Sequence, residues 1–532
     1  MKIVYAFLVW FLVLNPLISQ STFDYRFHFG YPALVLTGVV STDSCVYAIG
    51  VMVDSIAPFN EGNIFIKFSL EGEVLIQKVI VDSIRTYEIW RGNLAQCPDG
   101  GFAAFGTSVK DSRLKGLMIK YDSSGDSLFT KLFPNYYNDT LFIRGEDILT
   151  LEDGGFLILS TDSKPDEIKH TEIRVSRLDN LGNLEWSKIF GISSTNDIAK
   201  CIIPYRGAFA VSGSRNNSHI AVQNYIFRDF VMGVSASGEK LWEYLSPINE
   251  LHSFVSGLVE ASDGGLFVVS GNGVEVPAGP GFSQMRWHNY AFKLDSNRQV
   301  EWGILIRDSL PAISPNNQLT SGIELQDGSG YAVAGNLIAR TPENWFFSGV
   351  LAKISPEGEL LWKRYYQHIA GQGPSHYIND LAQAPDGGFI MVGEVRDTVN
   401  APRQQGWLLK VDEYGCLVPG CELVSGVRSS DDSKSSDDFT LLLYPNPVSE
   451  ELQVYFSGPA GGEHHFHILD AQGREWRRFS TRLPASPDVA GHAGRSSEVT
   501  LLVEVEELPA GVYYLQCLRQ GTVVGVKGFV KR

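Results

Sequence analysis

The chain is short of positive charge, of cysteine and of long apolar runs, and each shortage removes a class of function. Lys and Arg number 44 against 60 Asp and Glu, a formal net charge of −16 at pH 7. A surface this acidic repels phosphate backbones, so no nucleic-acid partner is expected. Six cysteines in 532 residues cannot make a disulfide scaffold, although they suit an oxidising compartment. Beyond the N-terminal segment no stretch is apolar enough to span a bilayer, which needs about 20 such residues. Catalytic signatures are missing too: no His-Glu-x-x-His pair, no Gly-x-x-x-x-Gly-Lys loop and no Gly-x-Ser-x-Gly elbow. The histidines are scattered (His28, His170, His219, His252, His288, His368 and His376 before residue 422). No motif calls for a metal or cofactor, and no catalytic residue stands out. A site assembled from several distant segments would leave no such local trace.

The N-terminus carries an export signal. Lys2 precedes an apolar run over residues 3–14, then Asn15-Pro16 and Ser19-Gln20-Ser21. The run is too short to span a membrane and fits the core of a signal peptide, residues 1–19, cleaved near Ser19. The remainder is expected to leave the cytoplasm as a soluble monomer.

What the chain has in abundance is 30 Phe, 21 Tyr, 10 Trp and 53 Gly, a pairing that suits short strands and tight turns. These residues repeat. An apolar strand, Asp-Gly-Gly and a second apolar strand ending in Gly or Ser recur at Asp99, Asp153, Asp263 and Asp386. Weaker copies begin at Asp43, Arg206 and Asp327, and successive copies are 56, 54, 53, 57, 64 and 59 residues apart. Each unit has a second turn downstream, such as Asp179-Asn180-Leu181-Gly182 before Trp186 or Ser355-Pro356-Glu357-Gly358 before Trp362. Gly accepts positive φ and Asp bonds its own backbone, so both turns suit hairpins. Each unit therefore reads as four antiparallel strands, A to D. Such units bury both faces by stacking radially, which predicts an all-β fold: a seven-bladed β-propeller over 22–422. The seventh unit lacks a strand D, and 24–30 matches 185–191 in aromatic spacing, so the N-terminal segment is expected to complete the last blade.

Two local expectations concern cysteine. Cys416 and Cys421 enclose Leu417-Val418-Pro419-Gly420, a turn that brings the sulfurs within disulfide reach. Cys45 and Cys97 fall at the A–B ends of adjacent blades, so a bond between them is geometrically open. The Asp-x-x-Gly-x-x-x-Trp turn is similar to the tryptophan-docking motif of quinoprotein dehydrogenases and to the sialidase Asp-box, but its spacing fits neither. Its Trp186, Trp242, Trp302 and Trp362 are expected to pack between blades. The longest connections, 272–289, 306–321 and 336–348, should lie on one face. Arg286, Trp287, His288, Trp345 and Phe346 are the candidate ligand-binding residues there, because exposed aromatics beside polar groups suit carbohydrate or extracellular protein.

After Cys421 the composition changes. Residues 425–439 are Ser/Asp-rich and read as a linker, and 440–532 form a separate small β-sandwich-like unit. That unit resembles the type A sorting domain of the type IX secretion system of Bacteroidota. The resemblance rests on Pro445-Asn446-Pro447, Asp470-Ala471-Gln472-Gly473, Gly511-Val512-Tyr513-Tyr514 and Lys527-Gly528-Phe529-Val530-Lys531. It implies that Pro445, Asn446, Pro447, Gly511, Tyr513 and Lys527 belong to the sorting signature, that the secretion machinery is a partner, and that the protein ends up secreted or on the cell surface. The repeats look like the Asp-Gly-Gly-Phe propeller repeats of secreted proteins in the same bacteria. A non-enzymatic binding module is the expectation; the alternative is an extracellular polysaccharide hydrolase or lyase, or a quinone-dependent oxidoreductase.

Overall fold

The computed structural model describes residues 21–56, 59–89, 94–110, 113–165, 170–191, 195–217, 227–247, 252–279, 282–306, 317–340, 345–369, 373–417, 440–444, 448–459, 463–470, 474–483, 496–519 and 522–531. All its regular elements are strands. Between residues 21 and 417 they form four four-stranded antiparallel sheets, each read outward in chain order, as in Ile143–Thr150, Phe156–Ser163, Thr171–Leu178 and Leu184–Phe190. There is also a five-stranded sheet in which Thr86–Glu88 and Leu94–Gln96 both pair with Phe102–Lys110. In an eight-stranded one the first and last sets of strands meet at one parallel pair, Ala33 opposite Gln404. Each sheet's innermost strand touches the next one's. The series runs Ala33–Ser41, Leu94–Gln96, Ile143–Thr150, Thr195–Tyr205, His252–Glu260, Gln318–Glu324 and Ser375–Gln383, and returns to Ala33–Ser41. This is a β-propeller.

The hydrophobic cores lie between sheets. One cluster joins Phe267, Val269 and Ala291 to Tyr331, Val333 and Ala352 of the next sheet. Another joins Ile390, Val392 and Leu408 to Leu34, Leu36 and Ile64, across the two ends of the array. The alternation of large apolar residues on both faces follows from this, since every sheet is covered twice.

The turns show why the repeat has its residues. In the unit beginning at Asp386, the Gly387 N–H donates to Ala384 O at 2.9 Å and Gly387 takes φ +85°. The Asp386 carboxylate accepts the Gly388 N–H at 3.1 Å. A Cβ on Gly388 would stand 2.4 Å from Val411 O, so the third position must also be Gly. The same carboxylate pairs with Lys410 at 2.7 Å, and equivalent pairs join Asp99 to Lys120, Asp153 to Arg177 and Asp263 to Lys293. At the second turn the leading Asp accepts two amides, as Asp412 does from Tyr414 and Cys416 at 3.0 and 2.7 Å. The tryptophans lie between sheets: Trp302 covers Gly358 of the next sheet and its indole N–H donates to Pro356 O at 2.9 Å.

Phe23–Phe27 pairs antiparallel with Gln404–Val411, Phe23 opposite Lys410 and Phe27 opposite Gly406. Around this pairing the Lys410 ammonium donates to Ser21 Oγ at 3.0 Å and Thr22 Oγ1 to Leu417 O at 2.7 Å. The Trp407 indole N–H donates to Asp24 at 2.7 Å.

Cys45 and Cys97 are free and buried. They enter different cores, Cys45 beside Phe65 and Tyr87 and Cys97 beside Phe105 and Ile148, so a sheet separates them. Cys416 is fully buried, and Cys421 lies outside the described residues. In the C-terminal unit a three-stranded and a four-stranded sheet enclose one core that includes Val454, Phe466, Leu515 and Phe529.

Candidate functional site

The five candidate face residues lie in strands. The segment 272–289 extends a hairpin in which Leu266–Gly279 pairs with Phe282–Leu294 as far as Gly279 opposite Phe282. Arg286 is opposite Val274, Trp287 opposite Gly273 and His288 opposite Asn272. Trp345 and Phe346 begin the strand Trp345–Ile354, opposite Arg340 and Ala339. Gly273, Pro277 and Gly279 suggest a loop, yet small residues opposite large ones allow the ladder to continue. Trp287 is only partly exposed and meets Phe254 edge-to-face at 5.4 Å, while Phe254 meets Phe227 at 4.4 Å. It therefore packs within its own sheet, on a Phe254 that in turn meets the preceding sheet. Part of 306–321 lies outside the described residues.

The second feature is a cavity of about 420 Å³ where the inner strands converge, lined by Arg144, Glu146, Asp147, Lys200, Cys201 and Asp380 among others. Its walls are bulged. The register shifts by one residue at Thr37, Glu146, Lys200, Ser256, Thr320 and Asn379, one in each of six inner strands. A bulge re-aims side chains and frees backbone groups, and here the side chains at and after it reach the next sheet. Asn379 Nδ2 donates to Leu36 O at 2.8 Å and Thr320 Oγ1 to Ile378 O at 2.9 Å. Asp147 accepts the Ile148 and Ile202 N–H groups, both at 2.8 Å. Asp380 accepts the Val39 and Leu381 N–H groups at 2.9 Å and the Ser321 hydroxyl at 2.8 Å. Glu146 pairs with Arg144 at 2.5 Å and Lys200 at 3.4 Å and accepts Thr161 Oγ1 at 2.9 Å. Among the described residues no group of three His, Cys, Asp or Glu side chains is placed to hold a metal ion.

Burial pushes the Asp147 carboxyl up to about 7 and that of Asp380 to about 6, against the two amides each accepts. Asp147 lines the cavity and is only half-buried, but it lies where the inner strands converge, so the direction follows from desolvation. Both are raised above their unfolded values, so their contribution to stability is complete below about pH 4 and is lost as pH rises through 6 to 7. Buried His376, lowered to about 4, acts oppositely: its contribution is complete above about pH 6.5 and is lost as pH falls. We expect Asp147→Asn to gain on the wild type as pH rises from 4 to 8, by about 1.4 kcal/mol for each tenfold change in proton affinity removed. Urea denaturation across that range measures it. Parallel profiles would refute the assignment.

The sequence reading did not single out Glu146, Asp147, Lys200 or Asp380. A signal was available: Asp147, Ser321 and Asp380 each stand six residues before a turn Asp, at 153, 327 and 386.

No family profile matches the chain, and no curated protein sequence does. Solved structures do align with it. Extracellular domains 1–2 of Drosophila Semaphorin 1b align over 73% of this chain and 86% of that one, at 8% identity and TM-score 0.39. An alpha-L-arabinanase of Penicillium chrysogenum, complexed with arabinobiose, aligns over 74% and 98%, at 10% identity and TM-score 0.36. A protein of unknown function from Dyadobacter fermentans aligns over 73% and 98%, at 9% identity and TM-score 0.36. Likeness at this level assigns no activity; the architecture rests on the strand pairing.

Proposed function

We propose that the chain is a seven-bladed propeller, closed by Phe23–Phe27, that is exported by its signal peptide. The unit 440–532 then carries it through the type IX secretion machinery, and it acts as a non-enzymatic binding module, secreted or on the cell surface. Cys416 and Cys421 form a disulfide. The observation that carries the binding reading is that three carboxylates of the cavity are engaged in joining neighbouring sheets, Glu146 through Lys200, Asp147 through Ile202 and Asp380 through Val39. Recognition then falls to the face where the lengthened hairpins end.

The sorting reading rests on the C-terminal residues. Of these, Gly511 pairs opposite Lys531 and Leu515 opposite Lys527. Tyr513 is buried, stacks on Phe529 at 5.6 Å and donates its hydroxyl to Pro509 O at 2.9 Å. Pro445, Asn446 and Pro447 lie outside the described residues. Deleting 440–532 should trap a folded, protease-resistant propeller in the periplasm, and 425–532 should carry a signal-peptide-bearing reporter to the surface of a host with this system. Surface export of the truncated protein would refute the sorting role.

A further inference from the structure

The hairpin of Phe102–Lys110 and Arg113–Tyr121 ends in two like charges. Lys110 and Arg113 stand opposite each other in the ladder, where like charges repel. The chain has 60 acidic residues against 44 basic ones, yet neither cation is paired with a carboxylate among the described residues. Arg113 is exposed. It lines a cavity of about 260 Å³ between this hairpin end and the next sheet, where Ser163 is opposite Thr171.

Leu114, Leu141 and Phe142 give the cavity its apolar lining, and Thr140, Ser163 and Thr171 add hydroxyls. Carboxylates next to these positions in the chain are already engaged. Asp139 pairs with Lys115 at 3.2 Å, Asp162 with Arg174 at 3.4 Å and Glu172 with Lys164 at 3.0 Å. Arg113 is thus the charged residue of the lining, and its charge is uncompensated. The walls are held in place: buried Asn135 donates to Phe142 O at 2.8 Å and Ser163 O at 3.1 Å. The Ser163 N–H also donates to Phe142 O, at 2.9 Å. Tyr136 and Tyr137, on the same connection, take no part. They bond Asp162 and Glu172, which alternate with Ser163 and Thr171 along their strands and so face the other side of the sheet. A wall fixed in advance loses little freedom when a ligand arrives.

We propose that this cavity binds a small organic carboxylate, its acid group on Arg113 and its carbon skeleton against Leu114, Leu141 and Phe142. A guanidinium presents a planar fork of N–H donors that matches the two oxygens of a carboxylate. The bound anion also offsets the repulsion between Arg113 and Lys110. Hydroxyls of the lining suit hydroxyl groups on the same ligand. Size and charge narrow the class. The cavity is slightly below the range of about 300–1,000 Å³ usual for small-molecule sites, which suits a ligand of one ring. A net charge of −16 opposes a long polyanion, so the site selects a single acid group. That group is carried by a free acid or by a uronate that ends a glycan chain.

The proposal goes beyond the binding-module reading and stands apart from the lengthened hairpins. Calorimetry on the full chain tests it with two matched pairs, phenylacetate against phenylacetamide and galacturonate against galactose. At least one carboxylate should bind with millimolar or better affinity, and at least tenfold more tightly than its uncharged counterpart. Preference for phenylacetate assigns the site to free acids, and preference for galacturonate assigns it to uronates. Arg113→Gln should weaken that binding at least tenfold. The melting temperature of the free variant should be unchanged or raised, because a like-charge pair is lost. Trp287→Ala should leave carboxylate binding as it was. Binding of neither carboxylate, equal binding of the uncharged counterparts, or indifference to Arg113→Gln would overturn the proposal. Loss with Trp287→Ala but not Arg113→Gln would overturn it too, while leaving the binding-module reading intact.

Discussion

Removing residues 21–30 should make the protein associate and lower its stability by on the order of 5 kcal/mol or more. The segment satisfies the buried Trp407 indole and adds a partner to Lys410, whose ammonium also pairs with Asp386. Trp407 is 1% exposed and donates its indole N–H to Asp24, and the buried Lys410 ammonium donates to Ser21. Each buried polar group left unpartnered costs about 1–3 kcal/mol. Phe23 belongs to the core that joins the two ends of the array, and Phe27 packs against it, so their loss removes apolar burial of about 1.5–3 kcal/mol each. The strand Gln404–Val411 would also expose the edge that now pairs with Phe23–Phe27, and an exposed edge recruits other chains. Light scattering after gel filtration, together with thermal denaturation, measures both effects. A monomer of unchanged melting temperature would show that closure does not depend on this strand.

Gly393→Ala should be the most damaging of the conservative substitutions. Gly393 is opposite Ile378, next to the bulge at Asn379, and a Cβ there would stand 1.8 Å from Tyr377 O. The obstacle is backbone, held in the ladder on one side and bonded to the next sheet through Asn379 on the other, so no rotamer change relieves it. We expect a loss of about 4 kcal/mol or more, in the range of severe backbone effects. Gly100→Ala is the control. Gly100 has φ +80° but nothing within 4 Å of a Cβ, so only the left-handed conformation is penalised, at about 1–2 kcal/mol. Urea denaturation of both variants separates the two causes. Equal losses would mean that the bulge yields to the extra carbon.

These two glycines show what the sequence could reveal. Gly100 belongs to a turn whose Asp and Gly act within three residues, and such local chemistry repeats visibly along the chain; the four-stranded sheets follow from it. Gly393 serves a contact across two strands, and in the sequence it is only the small residue that ends an apolar run. The cavity was harder to see: a six-residue spacing before the turn Asp marks Asp147 and Asp380, but the bond from the Ile202 N–H to Asp147 leaves no trace in the sequence. The lengthened hairpin misled because Gly273, Pro277 and Gly279 carry turn chemistry that pairing with 282–288 overrides. Tyr136 and Tyr137 were legible as aromatics, but their partners Asp162 and Glu172 come from two separate strands.

The pairing of Phe23–Phe27 with Gly406–Lys410 also sets an order of assembly. Every other propeller sheet is built from neighbours in sequence, so it can form as soon as its own residues and those of the next repeat are available. The last one must wait for two segments nearly 400 residues apart, a separation whose closure costs on the order of 5 kcal/mol in chain entropy. Contacts so distant in sequence form late and slowly. A chain emerging N-terminus first would therefore carry 23–27 as an unpaired strand until almost all of the repeats had followed it, and only then could the ring lock.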